Sequence, residues 1–196
     1  MLTSETEFNG QTFKGLTALD QELIRTSFEQ CVFVNCTFRE VIFQACEFHD
    51  CRFEQCELSL ARVPDSLFIN TSFHDCQLIG LNWSEARWGR RFLKPFDFVN
   101  CVLNYATFLG VNLKEVALTD CIAREVDFSE ANLTEADCRD TDFNGSRFQR
   151  TDLTQADFTG ATNYTIAAGQ NTLKGTKFSL PEAMALLYSL DIVLTE

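Results

Sequence analysis

The residues with the greatest chemical potential in this sequence are nine cysteines, a number that could supply a metal site. Metal-binding cysteines usually come as close pairs, about two to four residues apart, often with histidine nearby. Eight of the nine instead follow one another at five residues or a multiple of five: Cys31, Cys36, Cys46, Cys51, Cys56, Cys76, Cys101 and Cys121. This spacing predicts that the thiols fill a repeated structural position as small apolar side chains, and we expect no metal site.

Residues suited to catalysis are sparse. The two histidines, His49 and His74, lie 25 positions apart, and each directly follows a phenylalanine. If those phenylalanines point inward, both imidazoles point outward on different sides of the molecule. The sequence contains no nucleophile with a neighbouring base, no glycine-rich phosphate loop and no metal-ligand spacing. We therefore expect neither enzymatic activity nor a cofactor.

The elements that position these side chains are set by a repeat of five residues. Seventeen of the nineteen phenylalanines fall in one residue class of five, and Phe, Leu or Trp occupies 29 of the 35 positions of that class from Phe8 to Phe178. A helix needs apolar residues at a period of about 3.6 and a strand needs alternation, so neither explains the pattern. A chain that points one large residue inward every five residues must turn at each repeat.

Four repeats would close a square coil, and successive coils would stack at the strand spacing of about 4.8 Å. A smaller inward residue lies two positions before each large one, and the ninth cysteine, Cys138, takes a large position. One expected column of stacked residues is Phe8, Phe28, Phe48, Phe68, Trp88, Phe108, Phe128 and Phe148. The next is Phe13, Phe33, Phe53, Phe73, Leu93, Leu113, Leu133, Leu153 and Leu173.

The repeat units resemble those of the pentapeptide-repeat family, as in Cys31-Val-Phe33, Ala131-Asn-Leu133 and Ala156-Asp-Phe158. This resemblance implies an all-β fold, a right-handed quadrilateral β-helix of about eight coils. We expect residues 1–178 to form this solenoid, with an irregular first coil at 1–25.

The last residues, 179–196, are unusually apolar for the end of a rod of strands. Ser179 and Glu182 have the spacing of a capping box, and residues 192–194 read as a short strand. An exposed coil edge must be covered, and a polar cap would suffice for a monomer. We therefore expect a helix and strand cap that also docks end to end on a second copy; a cap folded only over its own coil is the alternative. The residues assigned to the dimer interface are Leu180, Met184, Leu187, Leu190, Ile192 and Leu194.

Three segments and the C-terminal ending resemble the family members that protect DNA gyrase: Gly80-Leu-Asn-Trp83, Cys101-Val-Leu-Asn-Tyr105 and Glu130-Ala-Asn-Leu-Thr-Glu-Ala-Asp-Cys138. The similarity is greatest to the albicidin-resistance protein and more distant to microcin B17 immunity and quinolone-resistance proteins. It implies an acidic, rod-shaped homodimer that binds a type II topoisomerase as DNA does and counters an antibiotic or peptide toxin. A structural or adaptor rod that binds another protein is the alternative.

The charge of the chain is negative and uneven, with a net charge of −12. Residues 1–60 and residues 120–160 each hold ten acids and four bases. Acids that neighbour inward residues must point outward, so stacked coils would present rows of negative charge that resemble DNA to a basic saddle. Solubility of the rod is the alternative explanation. We assign gyrase binding to Asp127, Glu130, Asp137, Asp142, Asp152 and Asp157.

The repeat is interrupted at about residues 84–96, where four bases accompany one acid. The segment also holds both phenylalanines outside the repeat class, Phe92 and Phe96. A departure from a strict repeat often marks function. We expect either a loop that contacts the partner or a purely structural kink. The residues assigned to the loop contacts are Arg87, Trp88, Arg90 and Arg91.

The expected location is the cytoplasm. The odd number of cysteines and the absence of a signal peptide indicate a reducing compartment without disulfides. No apolar run approaches the roughly 20 residues of a membrane span. We expect a protein that binds neither membranes nor nucleic acid directly.

Overall fold

The computed structural model describes residues 2–87, 96–190 and 192. Over these residues the chain coils through short parallel strands, and each strand pairs with another about one coil further along. The result is an all-β quadrilateral solenoid of about eight coils with one short helix, as the sequence predicts.

The strands are only two to four residues long, because a corner interrupts the chain every five residues. One short α-helix and two 3-10 helices accompany them in the described residues. The strands are β1 (Glu7–Asn9), β2 (Thr12–Lys14), β3 (Glu22–Ile24), β4 (Ser27–Glu29), β5 (Val32–Val34), β6 (Ile42–Gln44), β7 (Glu47–His49), β8 (Arg52–Glu54), β9 (Leu67–Ile69), β10 (Thr71–His74), β11 (Phe96–Val99), β12 (Leu118–Thr119), β13 (Asp157–Phe158) and β14 (Lys177–Phe178). The helices are the 3-10 turns Trp83–Glu85 and Ala168–Gln170 and the α-helix α1 (Met184–Tyr188).

Parallel pairing runs along the length of the solenoid. One sheet has the order β1-β4-β7-β9, and a second has the order β12-β11-β10-β8-β5-β2. Single-residue bridges continue the same register in the C-terminal half, as from Asn112 to Asn132 and on to Asp152. The backbone hydrogen bonds therefore lie along the axis of the rod and join each coil to the next.

Each coil has four faces, which we number by the large inward residues of one coil. These are Leu113 on face 1, Leu118 on face 2, Ala123 on face 3 and Phe128 on face 4, and all are fully buried. Every face continues through an outward residue to a corner residue, where the chain turns to the next face.

The core is built from stacked aromatic columns, which confirms the inward assignment of the repeat. Phe48 stacks on Phe28 with ring centroids 5.0 Å apart and on Phe68 at 4.9 Å. Rings on neighbouring faces meet edge to face, as in Phe43 and Phe48 at 79°. Both geometries suit the quadrupole of the ring, and each pair adds about 0.5–1.5 kcal/mol beyond its area burial.

The small inward position holds the eight repeat-spaced cysteines, all buried. The Cys36 N–H donates to Sγ of Cys56 one coil on (3.4 Å), and that thiol donates to the Phe33 carbonyl (3.4 Å). A hydroxyl does the same at Ser66, whose Oγ accepts from the Cys46 N–H at 2.9 Å. The sulfur or oxygen therefore satisfies a backbone N–H that points into the core, where an unpaired donor would be costly.

Burial keeps several of the thiols protonated. It raises the pKa of Cys51 and of Cys121 to about 12. Burial also raises the pKa of Cys138, which takes a large inward position as predicted. Because a protonated thiol is a poor nucleophile, these three cysteines suit a packing role.

The corners of the coils have a left-handed backbone. Among the described residues the angle φ is positive at 24 non-glycine residues and seven glycines, almost all of them at multiples of five residues from one another. This conformation costs most L-residues roughly 1–2 kcal/mol. At Gly80 a Cβ would also lie 2.9 Å from Cδ2 of Leu60, so a side chain there would have to displace the end of that leucine. The stacked coils above and below hold the corners in this shape.

The interruption of the repeat is an insertion of five residues that changes which residues share a column. Phe73 pairs with Phe53, 20 residues before it, but with Phe98, 25 residues after it. Likewise Phe108 stacks on Trp83, with centroids 6.0 Å apart and rings 7° from parallel.

The expected columns are therefore wrong beyond the insertion. Leu118, rather than Leu113, continues the column of Phe13. Phe96, which seemed out of register in the sequence, is fully buried beside Thr71 in the small inward position. Trp88 and Leu93 lie outside the described residues. The sequence hides the shift because Phe, Leu and Trp are interchangeable at inward positions.

The N-terminal coil is more regular than expected. Strands β1, β2 and β3 pair in register with β4, β5 and β6, so the repeat geometry extends through residues 7–24. Leu2 is also buried against the first coil, while Phe8 and Phe13 are only partly buried.

The C-terminal cap differs from the expected capping box. The hydroxyl of Ser179 accepts a hydrogen bond from the Gly160 N–H (3.0 Å), so the last coil uses it. Helix α1 begins at Met184 without a side-chain cap. Ile192 is not in a strand, and residues 193 and 194 of the expected strand lie outside the described residues.

We expect Phe48→Ala to lower the free energy of unfolding by about 3–5 kcal/mol, because it opens a cavity within a packed column. Phe48 is buried and has a stacked ring on each side. The control Thr134→Ala changes a half-buried outward residue and should cost less than about 0.5 kcal/mol. Denaturant melts compare the two, and equal stabilities would contradict the inward assignment.

We expect Cys56→Ala to destabilise the fold by about 1–3 kcal/mol, because it leaves the buried N–H of Cys36 without an acceptor. Cys56→Ser should cost clearly less, since Ser66 makes the equivalent contacts with its hydroxyl. Denaturant melts of both variants measure the difference. A serine variant no more stable than the alanine variant would show that the hydrogen bond contributes little.

Candidate protein-binding surface

The interior of the solenoid is filled by apolar side chains with a few buried serines and threonines, so the charged groups of the described residues lie on the outer surface. His49 on face 1 and His74 on face 2 are both half-buried there. Within the described ranges, no group of three or more His, Cys, Asp or Glu side chains is placed to hold a metal ion. No helix of the described chain has both the length and the apolar character to cross a membrane.

The six acids assigned to partner binding surround the C-terminal coils. Only Asp137 and Asp157 are brought together, as neighbours in one column of face 2. The other four are distributed over the remaining sides: Asp152 on face 1, Asp142 on face 3, Asp127 on face 4, and Glu130 at the corner between faces 4 and 1.

Five of these six acids also form ion pairs. Exposed pairs of this kind contribute roughly 0–1 kcal/mol each, so they orient the side chains more than they stabilise the fold. The sixth acid, Asp152, accepts hydrogen bonds from the backbone N–H (3.0 Å) and hydroxyl (2.6 Å) of Thr154. The pairs are Asp137 with Arg139 (2.6 Å), Asp142 with Arg124 (2.7 Å), Asp157 with Lys177 (3.0 Å), Asp127 with Arg147 (3.5 Å), and Glu130 with Arg150.

The ion pairs keep the carboxylates charged. Hydrogen bonds from Arg139 lower the pKa of Asp137. Burial raises the pKa of Asp142, but hydrogen bonds from Asn163 and Arg124 outweigh burial, and the net pKa is lowered. These groups therefore stay ionised at neutral pH, and the negative charge of the surface is a fixed property.

A second acidic feature is a band of corner residues, of which the sequence-based assignment included only Glu130. Six consecutive corners from Glu115 to Asp140 are acidic, and all six have positive φ. Each corner lies one face further around the rod, so the band encircles the solenoid for somewhat more than one coil. We call these residues the acidic band: Glu115, Asp120, Glu125, Glu130, Glu135 and Asp140.

Half of the acidic band has no compensating base. Lys114 pairs with both Glu115 and Glu135. Asp120, Glu125 and Asp140 form no ion pair within the described part of the chain. The signal in the sequence is an acid at every fifth position, two residues after each large inward residue. The assigned acids, apart from Glu130, lie just before the inward residues instead.

Arg87 is the only one of the four assigned loop residues that lies within the described ranges; Trp88, Arg90 and Arg91 lie outside them. Its guanidinium donates from Nη2 to Glu47 (2.8 Å) and from Nε to the Asp65 carbonyl (2.7 Å). The first of these hydrogen bonds lowers the pKa of Glu47. Arg87 is therefore anchored along the rod, at the edge of a shallow surface depression of about 600 Å³.

The residues assigned to the dimer interface are largely exposed in the single chain. Leu180, Met184, Leu190 and Ile192 are exposed, and Leu187 is half-buried. Leu194 lies outside the described residues. Tyr188, which the sequence reasoning did not include, is 70% exposed beside them. The cap thus presents a group of apolar side chains to solvent.

Comparison with protein-family models assigns both halves of the solenoid. A model described as a pentapeptide repeat region matches residues 26–108, and a model of pentapeptide repeats in eight copies matches residues 112–150 and 124–160. The chain belongs to the pentapeptide-repeat family. The first match runs across the insertion, so the repeat is recognised on both sides of it in this pentapeptide-repeat protein.

Solved structures with this fold include QnrB1, described as a plasmid-mediated fluoroquinolone resistance protein. A trypsin-treated form aligns with a TM-score of 0.67 at 20% identity, covering 94% of this chain and all of the other. The full-length form aligns with a TM-score of 0.56 at 20% identity, covering 95% of this chain and 100% of that one. At this identity the likeness shows a shared fold.

A comparison with curated proteins found no match. The nearness to the albicidin-resistance protein stays a prediction.

Proposed function

We propose that this pentapeptide-repeat protein is a resistance or immunity factor that binds DNA gyrase in the place of DNA and protects it from an antibiotic or peptide toxin. The observation that carries the proposal is the acidic band around the C-terminal coils, half of which forms no ion pair within the described residues. A rod encircled by negative charge offers a basic saddle the same attraction as duplex DNA.

The charge density of the rod supports the comparison with DNA. About eight coils at about 4.8 Å give a length of about 40 Å, so the net charge of −12 corresponds to one charge per about 3 Å. Duplex DNA carries one charge per about 1.7 Å of its axis. The linear charge density of the rod is therefore within about twofold of that of DNA. This is enough for long-range steering, and short-range contacts can add to the affinity.

The likeness of fold to QnrB1 supports protection as the outcome of binding, since QnrB1 is described as a fluoroquinolone resistance protein. Catalysis is not part of the proposal, and the acids act through their electrostatic field.

Residues 84–96 are proposed to face the partner as a loop. The test is truncation of Trp88, Arg90 and Arg91: a loop role predicts retained gyrase binding with lost protection in supercoiling assays, whereas lower stability alone indicates a kink.

We also propose that two copies join end to end through their caps. The support is the group of exposed apolar side chains at this end of the rod, where a cap serving one chain only would be polar. A two-fold dimer buries the same patch on both copies and covers both coil edges at once.

Neutralising the unpaired acids should weaken gyrase binding, because their charge is not cancelled by a neighbouring base. The variant replaces Asp120, Glu125, Asp140 and Asp152 by Asn or Gln, and we expect lower affinity and a weaker dependence on salt. A second variant replaces the ion-paired acids and should shift affinity in the same direction: Asp127, Asp137, Asp142 and Asp157. Binding titrations against purified gyrase at two salt concentrations measure both effects.

The matched control removes four acids from the N-terminal coils, Glu7, Glu22, Glu29 and Asp50, and so changes the net charge equally. It should affect binding less than the removal of the four unpaired acids. Unchanged affinity and salt dependence in both variants of the C-terminal coils would rule out DNA mimicry by this surface. Binding that survives, together with protection against no poison, would instead favour an adaptor rod.

Leu190→Asp should convert a dimer into monomers, because it places a charge in the apolar contact between caps. Leu190 is 49% exposed in the single chain, so the change should not unfold the cap. Leu19→Asp is the control, since Leu19 is equally exposed (50%) at the other end of the rod. Sedimentation at micromolar concentration gives the oligomeric state, and an intact protein that sediments as a monomer refutes the dimer.

A further inference from the structure

The corner between faces 3 and 4 carries exposed apolar side chains that electrostatic binding does not use. Successive corner residues in this column are joined by backbone hydrogen bonds from each corner N–H to the next coil. Leu60 is 49% exposed and Tyr105 is 66% exposed. The column reads Asp20, Glu40, Leu60, Gly80, Tyr105, Glu125 and Gly145. We call Leu60, Gly80 and Tyr105 the apolar ridge.

The apolar ridge spans three coils. The side chain of Leu60 extends over Gly80, since its Cδ2 lies 2.9 Å from the position of a Cβ on that glycine. Leu60 thus covers the residue that separates it from Tyr105 in the column. More apolar side chains flank the ridge in the described structure. They are Ile79, Val102 and Ile122 on face 3 and Leu109 on face 4, of which Ile122 and Leu109 are exposed.

Stability of the single chain does not account for the ridge. Corner residues in the left-handed conformation are nearly all polar or glycine among the described residues, and the apolar exceptions are Ala45, Leu60 and Tyr105. The two large exceptions occupy one column, where each combines an unfavourable backbone with an exposed apolar side chain. Asparagine, as at Asn70 and Asn100, would adopt the same left-handed conformation at a lower cost in free energy.

The charges around the ridge define the chemistry of its partner. Asp20 and Glu40 precede it in the column, and Glu125 of the acidic band follows it. Within the described ranges Asp20 and Glu125 form no ion pair. Glu40 pairs with Arg39, with its Oε1 3.7 Å from the arginine Nε. A complementary surface would hold an apolar groove with lysine or arginine side chains at its margins.

We propose that the apolar ridge is the hot spot of the contact with the partner protein, seated in such a groove. This inference rests on the proposed function, in which the partner is gyrase. DNA offers no counterpart to an exposed leucine and tyrosine on one edge. The ridge therefore gives the rod a short-range attraction that is independent of charge, which offsets its lower charge density.

The test replaces Leu60 and Tyr105 by asparagine together. Asparagine adopts this corner conformation elsewhere in the solenoid, so the melting temperature should stay the same or rise. Gyrase binding should weaken by about tenfold or more. The salt dependence of binding should not change, because no charge is removed. Leu60→Gly with Tyr105→Gly is a second version that removes the same side chains and also suits the backbone.

Gln30→Asn is the matched control, because it introduces the same residue with the same backbone conformation at the diagonally opposite corner. It should leave gyrase binding unchanged. Wild-type affinity in both ridge variants would overturn the ridge while leaving the proposed function intact. Failure of the unmodified protein to bind purified gyrase would overturn the proposed function, and the assignment of the ridge to gyrase with it.

Discussion

Backbone hydrogen bonding between successive coils is the interaction on which the rest of this molecule depends. Because the bonds run along the axis, every residue has a fixed neighbour directly above and below it, as Phe28 and Phe68 are for Phe48. The core packs as columns for this reason. The thiol of Cys56 meets the inward N–H of Cys36 for the same reason, and the left-handed corners are held in place by the coils on either side.

The same constraint separates the roles of neighbouring residues in the chain. Inward residues must fill the core and, at several small positions, accept a backbone hydrogen bond, whereas outward and corner residues are free to carry charge or apolar surface without disturbing the core. The acidic band uses this freedom at six consecutive corners. The apolar ridge uses it at Leu60 and Tyr105, and there the corner backbone makes the choice of residue energetically costly.

The sequence was sufficient to predict the solenoid, the inward phenylalanines and the structural cysteines, because each depends on one repeating local rule. It was not sufficient where two registers of the repeat place large apolar residues inward equally well, as for Trp83 and Phe96 on either side of the insertion. It was also not sufficient where a tertiary contact uses a side chain whose spacing suggests a local role. Ser179 has the spacing of a helix cap, but the last coil takes its hydroxyl. The ion pair of Asp142 with Arg124 joins residues 18 apart, a relation that only the coil geometry reveals.

The five-residue insertion has a consequence for the orientation of surfaces. Because Phe73 pairs with Phe98, 25 residues on, the coil after the insertion resumes the same faces as the coil before it. One sheet therefore runs from β2 through β10 and β11 to β12, and the outer surfaces of the two halves keep a common azimuth about the rod axis. Hydrogen bonds along the axis hold this alignment, so a solenoid of this kind can accept an extra repeat within one coil without re-aiming the binding surfaces that follow it.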